Sequence, residues 1–193
     1  MTPKKAGTPI RFGLVGCGRI SQTHLQAIEV LKDYCQLKAV VDVREEAAAS
    51  VANQYGCKAY TDYRRLLEGD QIDAVIISTP PNTHAEIASF FLENKKPVLC
   101  EKPLATTIAD ARMMVDKAAE NDVLLMMASK YRYVADTIKA KGIVESGILG
   151  EIILFENVFC GKVDMRDRWN ACKEVGGGGV NPPARQSRQV IDG

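Results

Sequence analysis

This chain carries no marked excess of either positive or negative charge. Its 25 Lys and Arg stand against 24 Asp and Glu, leaving a net charge of +1, so the charge balance calls for neither nucleic acid nor an anionic membrane as partner. No apolar run approaches the roughly 20 residues of a bilayer span. The basic start, Met1-Thr2-Pro3-Lys4-Lys5-Ala6-Gly7, leads into a short strand and not into a secretory apolar region. The six cysteines, Cys17, Cys35, Cys57, Cys100, Cys160 and Cys172, form no C-x-x-C pair. Their spacing suits neither zinc nor a dense disulfide scaffold, which predicts reduced thiols, a cytoplasmic protein and no metal site. No repeat or low-complexity segment appears before residue 175, and no histidine follows His84. What is present is ordinary: 193 residues, 46% hydrophobic and 25% charged, enough for one full domain and part of another.

Residues 10 to 128 alternate strand and helix signals. Short apolar runs at Ile10–Val15, Leu37–Val41, Ala74–Ser78, Val98–Cys100 and Val123–Met127 are separated by helical patterns at Ile20–Leu31, Glu45–Tyr55, Thr83–Glu93 and Ile108–Glu120. A shorter strand, Lys58–Tyr60, precedes a short helix at Tyr63–Leu67. This rhythm predicts an α/β fold, a doubly wound parallel sheet buried on both faces. Thr83 with Glu86, and Thr107 with Asp110, have capping-box spacing. After Met127 the rhythm changes to one helix, Val134–Val144, and a long run rich in Ile, Val and Phe, Glu151–Phe159, which predicts a strand. The reading is a nucleotide-binding domain over 1–128 and a partial second domain over 129–193, too small to bury much apolar surface by itself.

The chemistry starts at Gly16-Cys17-Gly18-Arg19-Ile20-Ser21. The glycine pair follows a strand and opens a helix, and a second strand ends on Asp42. Gly16 allows the tight turn, Gly18 lets backbone approach a pyrophosphate, and the helix after Arg19 offers its N–H groups and dipole. Asp42 lies about 20 residues beyond the loop, where an acid accepts hydrogen bonds from an adenosine ribose. That favours NAD. Arg44, just past the strand, could instead pair with a 2′-phosphate, which keeps NADP open. Ser21 stands where a third small residue, Gly or Ala, is usual and predicts a slightly looser helix–strand contact.

Two more segments end strands on the same edge, where open parallel sheets bind ligands. Ser78-Thr79-Pro80-Pro81-Asn82-Thr83-His84 follows the fourth strand, and its prolines fix an extended turn. Taken alone, it reads equally as an ordinary proline loop, and His84 as a helix-surface residue. Cys100-Glu101-Lys102-Pro103-Leu104 ends the fifth strand. By itself Lys102 reads as an exposed loop lysine; desolvated, it would suit proton transfer, and Pro103 permits a cis bond.

Taken together, these segments resemble the glucose–fructose oxidoreductase/inositol dehydrogenase (Gfo/Idh/MocA) family. The residues that carry the resemblance are Gly16-Cys17-Gly18-Arg19-Ile20, Thr79-Pro80-Pro81-Asn82-Thr83-His84-Ala85-Glu86-Ile87-Ala88 and Glu101-Lys102-Pro103-Leu104. Tyr131-Arg132-Tyr133 and Gly147-Ile148-Leu149-Gly150-Glu151-Ile152 extend it. The resemblance implies a Rossmann domain holding NAD(P), then an α+β domain that supports the substrate and forms a homo-oligomer interface. It implies hydride transfer between nicotinamide and a secondary alcohol of a sugar, cyclitol or similar polyol. In that reading Thr79, Pro80, Asn82, His84 and Glu101 line the cofactor edge, and Lys102 faces the reacting carbinol. Arg132 and Trp169 are substrate candidates, although Trp169 could equally anchor a loop. Gly176–Gly179 and Val180 still match, but the family's Asp and His are absent beyond them, and Asn181-Pro182-Pro183 removes the expected helix start. The tail 181–193 reads as a shifted frame, a truncation or a genuine short variant. A truncated member that binds nucleotide without catalysis is the alternative function.

Overall fold

The computed structural model describes residues 7–69, 72–156, 158 and 175. Six strands form one sheet: β1 (Ile10–Val15), β2 (Cys35–Val41), β3 (Lys58–Tyr60), β4 (Ala74–Ile77), β5 (Val98–Cys100) and β6 (Leu125–Met127). Their order is β3-β2-β1-β4-β5-β6, and every pair is parallel. Four helices connect them: α1 (Ser21–Val30), α2 (Glu45–Tyr55), α3 (His84–Glu93) and α4 (Ile108–Glu120). This is the doubly wound Rossmann arrangement, whose strand order reverses between β1 and β4.

Side chains alternate across the pleat, so successive strand residues serve opposite layers. Leu14, Val40 and Ile76 pack with Leu25, Ile28, Val51 and Ala52 on one face. Val15, Val41, Val75 and Ile77 pack with Ile87, Phe91, Leu92 and Met114 on the other. Strands buried on both faces must be apolar throughout, which is why they read as continuous runs. Helix ends follow local chemistry. Gly56 closes α2 at φ 64°, and Thr107 Oγ1 accepts the Asp110 N–H at 3.1 Å to cap α4.

The expected capping box at Thr83 is not formed. A 3-10 turn at Pro81–Thr83 precedes α3, and the Thr83 hydroxyl donates to the Pro80 carbonyl at 2.8 Å and contacts Thr79 Oγ1 at 2.7 Å. Glu86 instead accepts the Tyr63 hydroxyl at 2.8 Å. The prolines impose a turn in which the threonine hydroxyl finds a carbonyl before it finds the helix N–H groups.

The chain divides into two compact units, Met1–Ala128 and Ser129–Gly193. The second contains a 3-10 turn at Lys130–Tyr133 and a helix, α5 (Ala135–Glu145). The expected strand at Glu151–Phe159 is not seen among its described residues: 151–156 and 158 join no strand and are exposed, Ile153 to 94%. A strand takes half its backbone partners from a neighbour, and no described strand pairs with this run. Apolar composition alone could not supply one. Gly176–Gly179, Val180, Trp169 and the tail 181–193 lie outside the described residues.

Candidate functional site

Apart from His84, which opens α3, the residues the sequence placed on the ligand edge of the first unit, from Gly16 to Lys102, lie at the carboxyl ends of β1, β2, β4 and β5 or in the loops that follow them. Gly16 sits at φ +96°, and a Cβ there would fall 2.8 Å from the carbonyl carbon and oxygen of Ser78. Only glycine combines that conformation with that approach. Ser78 seals the junction, since its Oγ donates to the Gly16 carbonyl at 2.8 Å and its N–H to Val15 at 2.8 Å. A Cβ on Gly18 would meet nothing within 4 Å, so the backbone there faces open space. Ser21 is fully buried, and its hydroxyl donates to the Gly18 carbonyl at 2.5 Å, tightening the turn.

The start of α1 differs from every other described α-helix. It has no acidic residue in its first turn, and like α2, α3 and α5 it has no side-chain cap. By contrast, α2 has Glu45 and Glu46, α3 has Glu86, α4 has Asp110 and α5 has Asp136. Acids are favourable at helix N-termini by about 0.3–1 kcal/mol, and an added carboxylate would repel a bound anion. An uncapped, acid-free start beside an open glycine fits a pyrophosphate. Arg19 and Ile20 are exposed at this start, whereas the Cys17 thiol is buried.

Asp42 fastens this loop to β2. Its Oδ2 accepts the Cys17 N–H at 2.9 Å, and its Oδ1 accepts the Arg44 N–H at 3.0 Å and Nε at 3.3 Å. Burial pushes its carboxyl up, but the bonds from Arg44 and Cys17 and the Arg44 charge outweigh that and hold it below the usual range. A carboxylate offers about four acceptor positions, and three are taken, so one remains for a ribose hydroxyl. Cys17 is driven the other way. Burial, the Asp42 charge and nearby Cys57 push its thiol up to about 12, against a lowering by Arg44.

Two histidines correct the sequence reading. His84 is not a surface residue but fully buried. Its Nδ1 lies 3.0 Å from the Pro103 carbonyl and its Nε2 2.9 Å from the Thr79 carbonyl. It therefore acts on the ligand edge through two loops and does not line it. The signal was available, because His84, Ile87, Ala88, Phe91 and Leu92 share helical spacing on one apolar stripe. His24 belongs to none of the sequence motifs. It shares the stripe of Ser21, Leu25 and Ile28 on α1, and its Nε2 donates to Glu101 Oε1 at 2.9 Å with both side chains nearly buried. Glu101 Oε2 accepts the Lys102 N–H at 3.1 Å. Burial raises the Glu101 carboxyl, and the bonds and charges of His24 and Lys102 bring it below its ordinary value.

Lys102 itself is exposed and not desolvated, and the Lys102–Pro103 bond is cis. Thr79 and Pro80 are half-buried and Asn82 is exposed. Arg132 is exposed on the 3-10 turn of the second unit.

The profile of an oxidoreductase family with an NAD-binding Rossmann fold, GFO_IDH_MocA, matches residues 10–129. Myo-inositol 2-dehydrogenase of Thermotoga maritima is 34% identical over 143 residues, 74% of this chain and 42% of that protein. The rhizopine catabolism protein MocA of Rhizobium meliloti is 31% identical over 171 residues, 89% of this chain and 52% of that one. Among solved structures, the WlbA dehydrogenase of Bordetella pertussis, in complex with NADH and UDP-GlcNAcA, superposes with a TM-score of 0.73 at 32% identity, covering 76% of this chain and 42% of that one. The chain thus spans about half, or less, of the length of these relatives. Sheet order, glycine loop and sequence match agree, and the chain belongs to the Gfo/Idh/MocA oxidoreductase family through its NAD-binding Rossmann fold.

Proposed function

We propose that this chain is the cofactor-holding part of an NAD-dependent dehydrogenase acting on a secondary alcohol of a sugar, cyclitol or similar polyol. The observation that carries the reading is convergence. Four segments separated in sequence, at Gly16–Ile20, Asp42–Arg44, Thr79–His84 and Glu101–Pro103, meet the sheet at one edge. The names of the relatives support the substrate class: one acts on myo-inositol, and another holds NADH with a nucleotide sugar. The free thiols of Cys17, Cys35, Cys57 and Cys100 suit a reducing, cytoplasmic compartment.

In this reading the Gly16–Gly18 backbone and the start of α1 cradle the pyrophosphate, and Asp42 accepts a ribose hydroxyl. Arg19, Ile20, Thr79, Pro80, Asn82 and Glu101 border the cofactor, and His84 supports that border from beneath. NAD, when bound, supplies the hydride acceptor. Lys102 hydrogen-bonds the alcohol oxygen and either orients it as the ammonium or, as the neutral amine, helps take its proton. Arg132 and Trp169 are proposed to contact substrate, and the second unit to mediate self-association.

Lys102→Ala tests the role of the lysine. General acid–base groups contribute about 10²–10⁴-fold, so turnover should fall by at least about 100-fold while NAD affinity stays within about threefold. A loss of turnover below about threefold sinks the assignment. A second reading, a nucleotide-binding module without chemistry, is favoured by the second unit, whose described run 151–156 joins no strand. Steady turnover of a sugar and cyclitol panel by the purified chain, abolished by Lys102→Ala, excludes it; cofactor binding without turnover supports it.

A further inference from the structure

The chain has two histidines, and both converge on the tripeptide that carries Lys102. His24, on the first turn of α1, donates to Glu101 Oε1 at 2.9 Å. His84, at the start of α3, lies 3.0 Å from the Pro103 carbonyl. One therefore grips the residue before Lys102 and the other the residue after it. We propose that His24 and His84 are positioning residues that fix the Glu101-Lys102-Pro103 turn, and with it the Lys102 amine, against the cofactor edge; this rests on the reading of Lys102 given above.

The backbone explains why such clamps are needed. β5 ends at Cys100, and Glu101 makes the last ladder bond, donating to Ile77 at 2.9 Å. Beyond it Lys102 leaves the sheet and Pro103 has no N–H to give. The Lys102 N–H would face solvent if Glu101 Oε2 did not accept it. That carboxylate holds its place because its other oxygen is bound to His24, and the two side chains are only 12% and 13% exposed. A nearly buried acid loses its compensation when its partner is removed, so without His24 the carboxylate would turn to water and release Lys102. The Lys102 side chain is itself exposed, so its aim is set by the flanks and not by packing. His84 adds the opposite wall. Its second nitrogen faces the Thr79 carbonyl at 2.9 Å, so β4 and β5 loops share one brace. With one N–H in its neutral form, the ring donates to one of those carbonyls at a time.

The test uses the full chain and reads local order by ¹⁵N relaxation. A held backbone gives an order parameter near about 0.85 and a loose one below about 0.6. His24→Leu removes the donor and should drop Lys102 below about 0.6, while Val75–Ile77 stay near about 0.85. His24→Gln puts an amide donor about where Nε2 sits and should restore Lys102. At position 84 Asn reaches about where Nδ1 lies and Gln about where Nε2 lies. His84→Gln should therefore loosen Lys102 and His84→Asn should not. His84 is fully buried, so if its variants do not fold, the His24 pair decides alone. Unchanged order at Lys102 in His24→Leu overturns the proposal, as does equal loss of order in the β4 core, or failure of His24→Gln to rescue. A second arm follows Lys102 labelled with ¹³C-methyl groups. Its resonance should move on adding NADH to the wild type and to His24→Gln, and less than half as far in His24→Leu. If NADH binds and the wild-type resonance does not move, the placement of Lys102 at the nicotinamide fails, and the relaxation arm still reads the anchoring separately.

Discussion

The two ends of one sheet make opposite use of the same residue types. At the amino edge Arg11 and Asp73 absorb one another. The Arg11 N–H and Nε donate to Asp73 Oδ2 at 2.8 and 3.0 Å, and Nη2 to Oδ1 at 2.6 Å. Lys96 closes the same side on the Ile72 carbonyl at 2.9 Å. At the carboxyl edge Asp42 spends part of its capacity on the glycine loop and keeps the rest, Gly18 faces open space, and α1 begins without an acid. A charge satisfied within the fold adds stability. A charge half satisfied at a ligand edge gives up some of that stability and gains a binding position.

The glycines offer the sharpest way to break the comparison. Gly13, in the middle of β1, would place a Cβ 2.9 Å from Leu66 Cδ1, the far end of a side chain that can shift. Gly16 would place one against the Ser78 backbone, which cannot. Gly16→Ala should therefore cost at least about 2–3 kcal/mol in urea unfolding, or about 100-fold in NAD affinity, and Gly13→Ala distinctly less. Equal costs would show that the close approach at Ser78 does not matter.

Next in size is cofactor choice. A 2′-phosphate 4 Å from Asp42 would be repelled by up to about 4 kcal/mol per unit charge at an effective dielectric of 20. Solvent reduces this, and a third of it still gives roughly tenfold discrimination. The wild type should bind NAD more tightly than NADP. Asp42→Ala should erase the preference, because it also releases the exposed Arg44 guanidinium. Calorimetry showing tighter NADP binding by the wild type would refute the assignment.

The smallest effect is at the amino edge. The Arg11 side-chain bond, then its backbone bond and charge, hold the Asp73 carboxyl at about 2 against an ordinary 3.8, despite an opposing push from burial. A lowered value favours the ionised folded form. This contribution is full above about pH 4 and is lost as pH falls from there toward 2. With the pair 30% and 42% exposed, screening leaves about 1 kcal/mol. Arg11→Ala should lower stability by that amount at pH 7 and flatten the pH dependence of the urea midpoint between pH 4 and 2, with NAD affinity unchanged. A change in NAD affinity would mean that the two edges are coupled.

Most of the first unit was legible because its information is local. Strands buried on both faces must be apolar, and the helices between them carry their own stops, so β1, β5, α2 and α4 fall on their expected residues. The start of β2 moved for a tertiary reason: it begins two residues early at Cys35, which pairs with Ile10 of β1. The glycine loop was legible because its spacing encodes a turn. The histidine clamps were not, because His24 meets Glu101 across 77 positions of sequence and no local pattern records that partner. The strand expected at 151–159 is not seen at its described residues, 151–156 and 158, for the same reason: a strand's partners are not in its own residues.

The cysteine inside the glycine loop has a practical consequence. Thiolate is the nucleophile and the form that oxidants attack, and burial and the Asp42 charge push the Cys17 thiol up to about 12, so at pH 7 it stays protonated. Alkylating reagents and peroxide should therefore react slowly with Cys17, although it sits inside the glycine loop. Cys100, below the lysine turn, is also held near about 12, by burial and the Glu101 charge. The thiols inside the glycine loop and below the lysine turn are thus both held in their less reactive form.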